Sequence, residues 1–206
     1  MTASMNLWKK FKRAFDSRIV KRWGSKAAKE SLWNQEFGKG QWDFLEQTVG
    51  DPIYPLLEKY SSGGSILDLG CGSGNTGNEL DFAKYTNYTG VDISEIAIAK
   101  AIKRSKENQR ELRNEYACSD LESYVPKRQY DIILFRESIF YIPAAKIKSV
   151  LCRYAKYLSS TGVFIVRICD RDKHRSVVER IRDAFAVVEQ QLVSNGKDIL
   201  IVFKDR

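Results

Sequence analysis

From Ser65 onward the chain alternates short apolar runs with longer amphipathic stretches. Ile66–Leu69, Tyr88–Asp92, Asn114–Ala117, Asp131–Phe135 and Val163–Ile168 read as strands, and helical spacing between and after them predicts helices near 75–84, 95–110, 144–158 and 174–183. Strands alternating with helices pair in parallel through right-handed crossovers, with the helices covering both faces of the sheet. The C-terminal end breaks the alternation. Phe185–Val193 and Ile199–Phe203 are strand-like, no helix fits between them, and Asn195-Gly196 is the residue pair favoured in a type I′ hairpin turn. The expectation is an α/β fold of seven strands, mostly parallel, ending in an antiparallel hairpin. The loop-forming run Tyr60-Ser61-Ser62-Gly63-Gly64-Ser65 divides this core, 65–206, from a helical lid segment, 31–64, and an N-terminal arm, 1–30.

The first strand runs into Gly70-Cys71-Gly72-Ser73-Gly74 and then a helix. Glycines let the chain turn sharply and let a ligand approach the main chain, while the helix start offers free N–H groups. Gly72 to Gly77 also satisfies G-x-G-x-x-G, so a dinucleotide has to be weighed. Asp68 stands two residues before the first glycine, where its charge opposes a pyrophosphate and suits an ammonium group. Asp92 closes the second strand 24 residues after Asp68, placed to accept both hydroxyls of a ribose from either kind of nucleoside. The residues after Ile168 are too few for a second mononucleotide-binding half. A phosphate-free, positively charged nucleoside such as S-adenosylmethionine meets these conditions.

Five motifs in order, Leu67-Asp68-Leu69-Gly70-Cys71-Gly72-Ser73-Gly74, Tyr88 to Ser94, Cys118-Ser119-Asp120-Leu121, Tyr130 to Phe135 and the final hairpin, resemble the class I S-adenosylmethionine-dependent methyltransferases. The resemblance covers about 33–206 and implies a Rossmann-like sheet with S-adenosylmethionine as cofactor. It implies contacts to the methionine part from Asp68, Gly70, Gly72 and Asn75, with Cys71 in the same loop. Asp92 would hold the ribose, Ile93 and Leu121 the adenine faces, Asp120 the adenine amine, and Phe135 and Arg136 would line the cofactor by backbone. Upstream, Trp33 to Leu45 is similar to the opening segment of small bacterial methyltransferases that act largely on small molecules or are unassigned, which makes Trp42 and Tyr54 candidates for a lid or for ordinary packing of that helix against the sheet.

Methyl transfer is an in-line displacement at an activated carbon, so the protein chiefly aligns a nucleophile and excludes water. Ligands of open α/β sheets bind beyond the carboxyl ends of the strands. After the fourth strand, Arg136 to Pro143 departs from the N-P-P-Y or D-P-P-Y of enzymes that methylate bases or amides. Here Glu137 is a candidate base or a loop cap, and Tyr141 a substrate wall, proton relay or packing residue. After the fifth strand, His174 is a candidate base for an alcohol, or simply a solvated side chain at the next helix start.

Composition narrows the picture further. One histidine and four cysteines without a C-x-x-C give no zinc or dithiol motif and no predicted metal site, and the thiols suit a reduced compartment. No apolar run approaches the ~20 residues of a membrane span, and no signal-like segment follows Lys9 and Lys10, so a cytoplasmic protein is expected. The net charge of +8 is concentrated: residues 1–30 carry nine basic and two acidic side chains, and the rest of the chain is nearly neutral. Leu7, Phe11, Phe15, Ile19 and Trp23 recur every four residues in this arm, with Lys12, Arg18 and Arg22 intruding on the apolar arc. Residues 7–23 are therefore candidates for peripheral contact with an anionic membrane on its inner face, for docking on the domain or a homodimer partner, or, less favoured, for nucleic-acid phosphates. The expected activity is transfer of a methyl group to oxygen or nitrogen of a small molecule or of a glycan or lipid precursor. The rivals are an RNA or DNA methyltransferase and a non-catalytic cofactor-binding scaffold.

Overall fold

The computed structural model describes residues 17–46 and 48–206. Helical residues 17–23 lead into α1 (Lys26–Gly38), α2 (Ile53–Ser61), β1 (Ser65–Leu69), α3 (Asn75–Glu79), β2 (Asn87–Asp92), α4 (Glu95–Glu107), β3 (Asn114–Cys118), β4 (Tyr130–Arg136), α5 (Ile147–Ala155), β5 (Leu158–Ile168), α6 (Arg175–Ala184), β6 (Ala186–Val193) and β7 (Asp198–Lys204). The sheet has seven strands in the order β3-β2-β1-β4-β5-β7-β6. Strands β1 to β5 run parallel, and β7 lies antiparallel to both β5 and β6. This is the fold expected from the alternation of elements.

Alternating residues of each strand enter opposite cores. Leu67, Ile133, Phe135, Phe164, Val166 and Phe203 pack beneath α5 and α6. Ile66, Ile132, Leu134, Ile165 and Val202 pack with Ile53, Leu56 and Leu57 of α2. The core thus reaches back across the Tyr60–Ser65 loop, and α2 is part of the sheet's covering layer.

Several expected boundaries shift for local reasons. The helix expected over 75–84 ends at Glu79, and a separate 3-10 turn begins at Phe82 with Asp81 accepting from the Ala83 amide at 2.9 Å. Strand β5 begins at Leu158, five residues before Val163, because Leu158 pairs with Tyr130 across an irregularity in β4. The hairpin closes on Val193 opposite Asp198, so its loop has four residues. Ser194, Asn195 and Gly196 are all left-handed there, in place of a two-residue type I′ turn on Asn195-Gly196.

Most of the arm's apolar arc, including Leu7, Phe11 and Phe15, lies outside the described residues. Of the part that is described, Ile19 is 46% exposed and Trp23 65% exposed, whereas Lys21 between them is 8% exposed. Among the described residues, no helix is long and apolar enough to cross a membrane.

Candidate active site

The neighbours β1 and β4 carry helical connections to opposite sides of the sheet, which leaves a crevice at their carboxyl ends. Gly70, Gly72 and Gly74 take left-handed backbone there, with φ of +86°, +54° and +77°. The Gly70 and Cys71 amides donate to the Val91 carbonyl at 2.7 and 3.0 Å, which pins the loop to the end of β2. A methyl group on Gly70 would lie 2.4 Å from Cβ of Ser138, so the loops after β1 and β4 touch there. Above them opens a cavity of about 610 Å³.

One end of this cavity is acidic. Asp68 is fully buried, and Tyr88 donates to its Oδ2 at 2.6 Å. Its other oxygen, Oδ1, has no hydrogen-bond partner. Desolvation pushes its pKa up from 3.8 to about 6, and Tyr88, Arg136 and the nearby Thr76 hydroxyl only partly oppose this. Asp92 is also buried, which raises its pKa, and its carboxylate accepts from the amides of Gly72 and Ser94, each at 2.9 Å. Ile93, Asp120 and Leu121 continue the wall, with Gly70, Cys71, Gly72 and Asn75. Asn75 lines the cavity but is engaged, its amide bonded to the Leu45 carbonyl and its oxygen to Arg104.

Of the two residues expected to line the cofactor by backbone, Arg136 is a wall of the cavity and Phe135 is not. Phe135 is fully buried, packs on Tyr154 and is not a wall of the cavity, because strand alternation turns it into the α5 and α6 core. The Arg136 side chain donates to Asp51 at 2.7 Å and to Tyr54 at 3.2 Å. Tyr54, a lid candidate, is a buried anchor whose hydroxyl donates to Glu79 at 2.8 Å.

The other end of the cavity is aromatic. Trp33 and Phe37 of α1, Trp42 just beyond it, and Phe140 and Tyr141 after β4 form the walls. Trp33 meets Tyr141 edge to face at 5.0 Å and Trp42 at 5.6 Å. Phe37 sits 3.5 Å from where a Gly72 side chain would begin, so the aromatic walls join the glycine loop directly. Helix α1 is held across the ends of β2 and β3 by Asn34, which accepts from Ser94 at 2.7 Å, and by Lys29, 3.3 Å from Glu122.

The three candidate catalytic residues all line this cavity. Glu137 has left-handed backbone (φ 58°), binds Arg167 at 2.7 Å and accepts from the Cys169 amide at 2.9 Å. Burial raises its pKa, and both carboxylate oxygens are occupied in tying β4 to β5. Tyr141 has its phenol pushed up, chiefly by desolvation. His174 stacks on Phe140 at 4.2 Å, and desolvation lowers its pKa to about 4.

The residues that the sequence reading did not single out are Lys21, Glu36 and Asp51. Lys21 and Glu36 form a buried pair at 2.6 Å beside Trp33 and Trp42, and Asp51 bridges Arg136 and Arg167. Glu36 lies inside the tryptophan-rich segment, Lys21 before it and Asp51 after it, and nothing local marks the pairs they form.

This architecture is shared with solved structures. The N-methyltransferase NodS of Bradyrhizobium japonicum, solved with S-adenosyl-L-homocysteine, superposes with a TM-score of 0.65 at 18% identity, covering 84% of this chain and 98% of that one. The magnesium protoporphyrin IX methyltransferase of Synechocystis PCC 6803 gives 0.67 at 15% identity, covering 88% and 100%. At such identities these likenesses speak for the fold. In sequence, the 27-O-demethylrifamycin SV methyltransferase of Amycolatopsis mediterranei is 25% identical over 121 residues, 55% of this chain and 44% of that protein. The chain spans less than half the length of the curated relatives it matches. A family model described as a methyltransferase domain matches residues 60–201, from the end of α2 through the glycine loop, Asp92 and the crevice to the final hairpin, and the chain belongs to that methyltransferase domain family.

Proposed function

We propose that the protein transfers a methyl group from S-adenosylmethionine to oxygen or nitrogen of a small molecule or of a glycan or lipid precursor. The observation that carries this reading is one cavity with two chemically distinct ends: buried carboxylates and a glycine loop at one, aromatic rings at the other. The residues fit the cofactor. Asp68 presents a buried acceptor with no partner, which suits a cationic donor, and Asp92 stands at a strand end where hydroxyls can be accepted. When bound, S-adenosylmethionine supplies an electrophilic methyl group on a sulfonium.

The chain's own contribution is alignment and exclusion of water. The Gly70–Gly74 turn admits close approach to main-chain N–H groups, and Ile93 and Leu121 offer apolar surface for a flat base. Trp33, Trp42, Phe140 and Tyr141 enclose an acceptor and strengthen electrostatic interactions by lowering the local dielectric. Around neutral pH His174 is uncharged but weakly basic, Tyr141 keeps its proton, and Glu137 is held by Arg167. Rate acceleration by positioning, about 7–11 kcal/mol at its upper range, is therefore the main resource of this site.

Calorimetry with S-adenosylmethionine on the wild type and an Asp92→Ala variant tests the cofactor assignment, with at least tenfold weaker binding expected for the variant. Equal binding by both proteins, or none by either, would count against it. A panel of small hydroxyl and amine acceptors, assayed beside total RNA, tests the acceptor class. Transfer confined to RNA would overturn the small-molecule reading.

A further inference from the structure

Helical residues 17–23 dock on the domain in an unusual way. A surface helix normally buries its large apolar side chains, yet here Ile19 and Trp23 are exposed and the buried side chain is Lys21. Its ammonium lies 2.6 Å from Glu36 Oε2, 4.1 Å from the centre of the Trp33 ring, 5.0 Å from that of Trp42 and 5.9 Å from that of Tyr141. Trp42 donates from Nε1 to the same Glu36 oxygen at 3.0 Å, which fixes both the carboxylate and the indole.

Aromatic faces around a carboxylate recognise an alkylammonium ion, through cation–π attraction on the sides and an ionic hydrogen bond at the end. Every wall of this cage comes from α1, the turn after it and the loop after β4, so the walls do not depend on residues 17–23. Lys21, Trp33, Trp42 and Tyr141 also line the large cavity, so the cage opens into its aromatic end. Without Lys21, Glu36 would lose its ion-pair partner and keep the Trp42 N–H, leaving a carboxylate whose charge another cation can compensate.

We propose that this cage is an ammonium-binding subsite of the acceptor chamber, held shut by the chain's own Lys21, and that it receives the protonated amine or quaternary ammonium of an organic ligand when residues 17–23 withdraw. The proposal rests on the reading of the cavity as a methyltransferase site and narrows its acceptors to cationic molecules. Lys21 acts as a tethered competitor. A short flexible tether holds its ligand at an effective concentration in the millimolar range, so a free ammonium has to exceed that to displace it.

The probe is n-butylammonium chloride, with 1-butanol and an equal ionic strength of sodium chloride as controls, on the full chain. By calorimetry, Lys21→Ala is expected to bind the probe at least about tenfold more tightly than the wild type, and the probe is expected to raise the melting temperature of the variant alone. Adding Glu36→Gln or Trp33→Ala to Lys21→Ala is expected to remove that gain, and 1-butanol to give none. On the wild type, n-butylammonium is expected to speed tryptic cleavage after Lys21 and Arg22 by several fold over sodium chloride, a readout that requires no variant. Absence of tighter binding in Lys21→Ala together with unchanged tryptic cleavage overturns the proposal, as does binding of 1-butanol equal to that of the ammonium. S-adenosylhomocysteine is titrated in parallel. If it binds while the ammonium does not, only the cage is refuted; if it fails to bind folded wild type, the methyltransferase reading falls and the ammonium titration still reports on the cage.

Discussion

Replacing Asp68 with Asn should make the protein more stable and a poorer ligand binder. The wholly buried carboxyl has its pKa raised from 3.8 to about 6, so at neutral pH folding must carry an already ionised group out of water into a place that resists its charge. At 1.36 kcal/mol per pKa unit, the penalty above pH 6 is about 3 kcal/mol. The sign follows from proton binding. Between the unfolded pKa of 3.8 and the folded value of about 6, the native state holds a proton that the unfolded state has lost, so stability falls as pH rises through that window and is flat above it. In Asp68→Asn the amide oxygen still accepts from Tyr88, but its NH₂ faces the position where Oδ1 has no partner, at a cost of about 1 kcal/mol. The net gain is about 2 kcal/mol near pH 7.5, shrinking by roughly that amount near pH 4.5. Urea denaturation of both proteins at the two pH values measures it. Calorimetry with S-adenosylhomocysteine should show the opposite effect, a loss of about tenfold to a hundredfold in affinity from one charge-assisted hydrogen bond. A variant less stable than wild type at pH 7.5, or a stability difference independent of pH, would refute the reasoning.

Gly70→Ala combines left-handed backbone with a 2.4 Å approach to Ser138 and should cost about 2–4 kcal/mol, whereas Gly196→Ala, at φ +83° with nothing within 4 Å, should cost only about 1; chemical denaturation of the pair separates steric overlap from backbone strain. Glu137→Gln leaves Arg167 with a weakened partner and should lower stability by about 1–3 kcal/mol while leaving the pH profile of methyl transfer unchanged; loss of the acid-side limb from that profile would make Glu137 a base instead. His174 is held neutral in the fold, so it supports stability above its ordinary pKa of 6.5, and that support is lost as pH falls toward about 4. An acid titration of His174→Gln by circular dichroism should accordingly show a shallower loss between those values than wild type.

The sheet could be read from the sequence because β1, β2, β4 and β5 end in strong local signals: a glycine turn after Leu69, Asp92-Ile93-Ser94 capping α4, and apolar runs buried on both faces. Ser94 shows the principle well, since its side chain accepts from the Ala97 amide at 3.2 Å in a bond set by three-residue spacing alone. What could not be read was set by distant partners. Nothing local says that Arg136 reaches back to Asp51, or that Glu137 spends both oxygens on Arg167 and Cys169. The early start of β5 depends on Leu158 finding Tyr130, and the cage around Lys21 draws on three separate stretches of chain. The side chain of Phe135 enters the core because period-two alternation along β4 turns it away from the crevice.

The segment between α1 and α2 is fastened through arginines to α4 on one side and to β4 and β5 on the other. Arg104 holds the Glu46 carbonyl at 2.9 Å on one side, and Arg136 and Arg167 converge on Asp51 on the other. A homologue that acquired a different covering loop would leave Arg136, largely shielded from water, without its carboxylate partner and would take one acceptor each from Arg104 and Arg167. Diversification of acceptor preference in such a scaffold is therefore constrained to move in matched sets, with the loop and its arginines co-inherited and detectable as paired substitutions when sequences of relatives are compared.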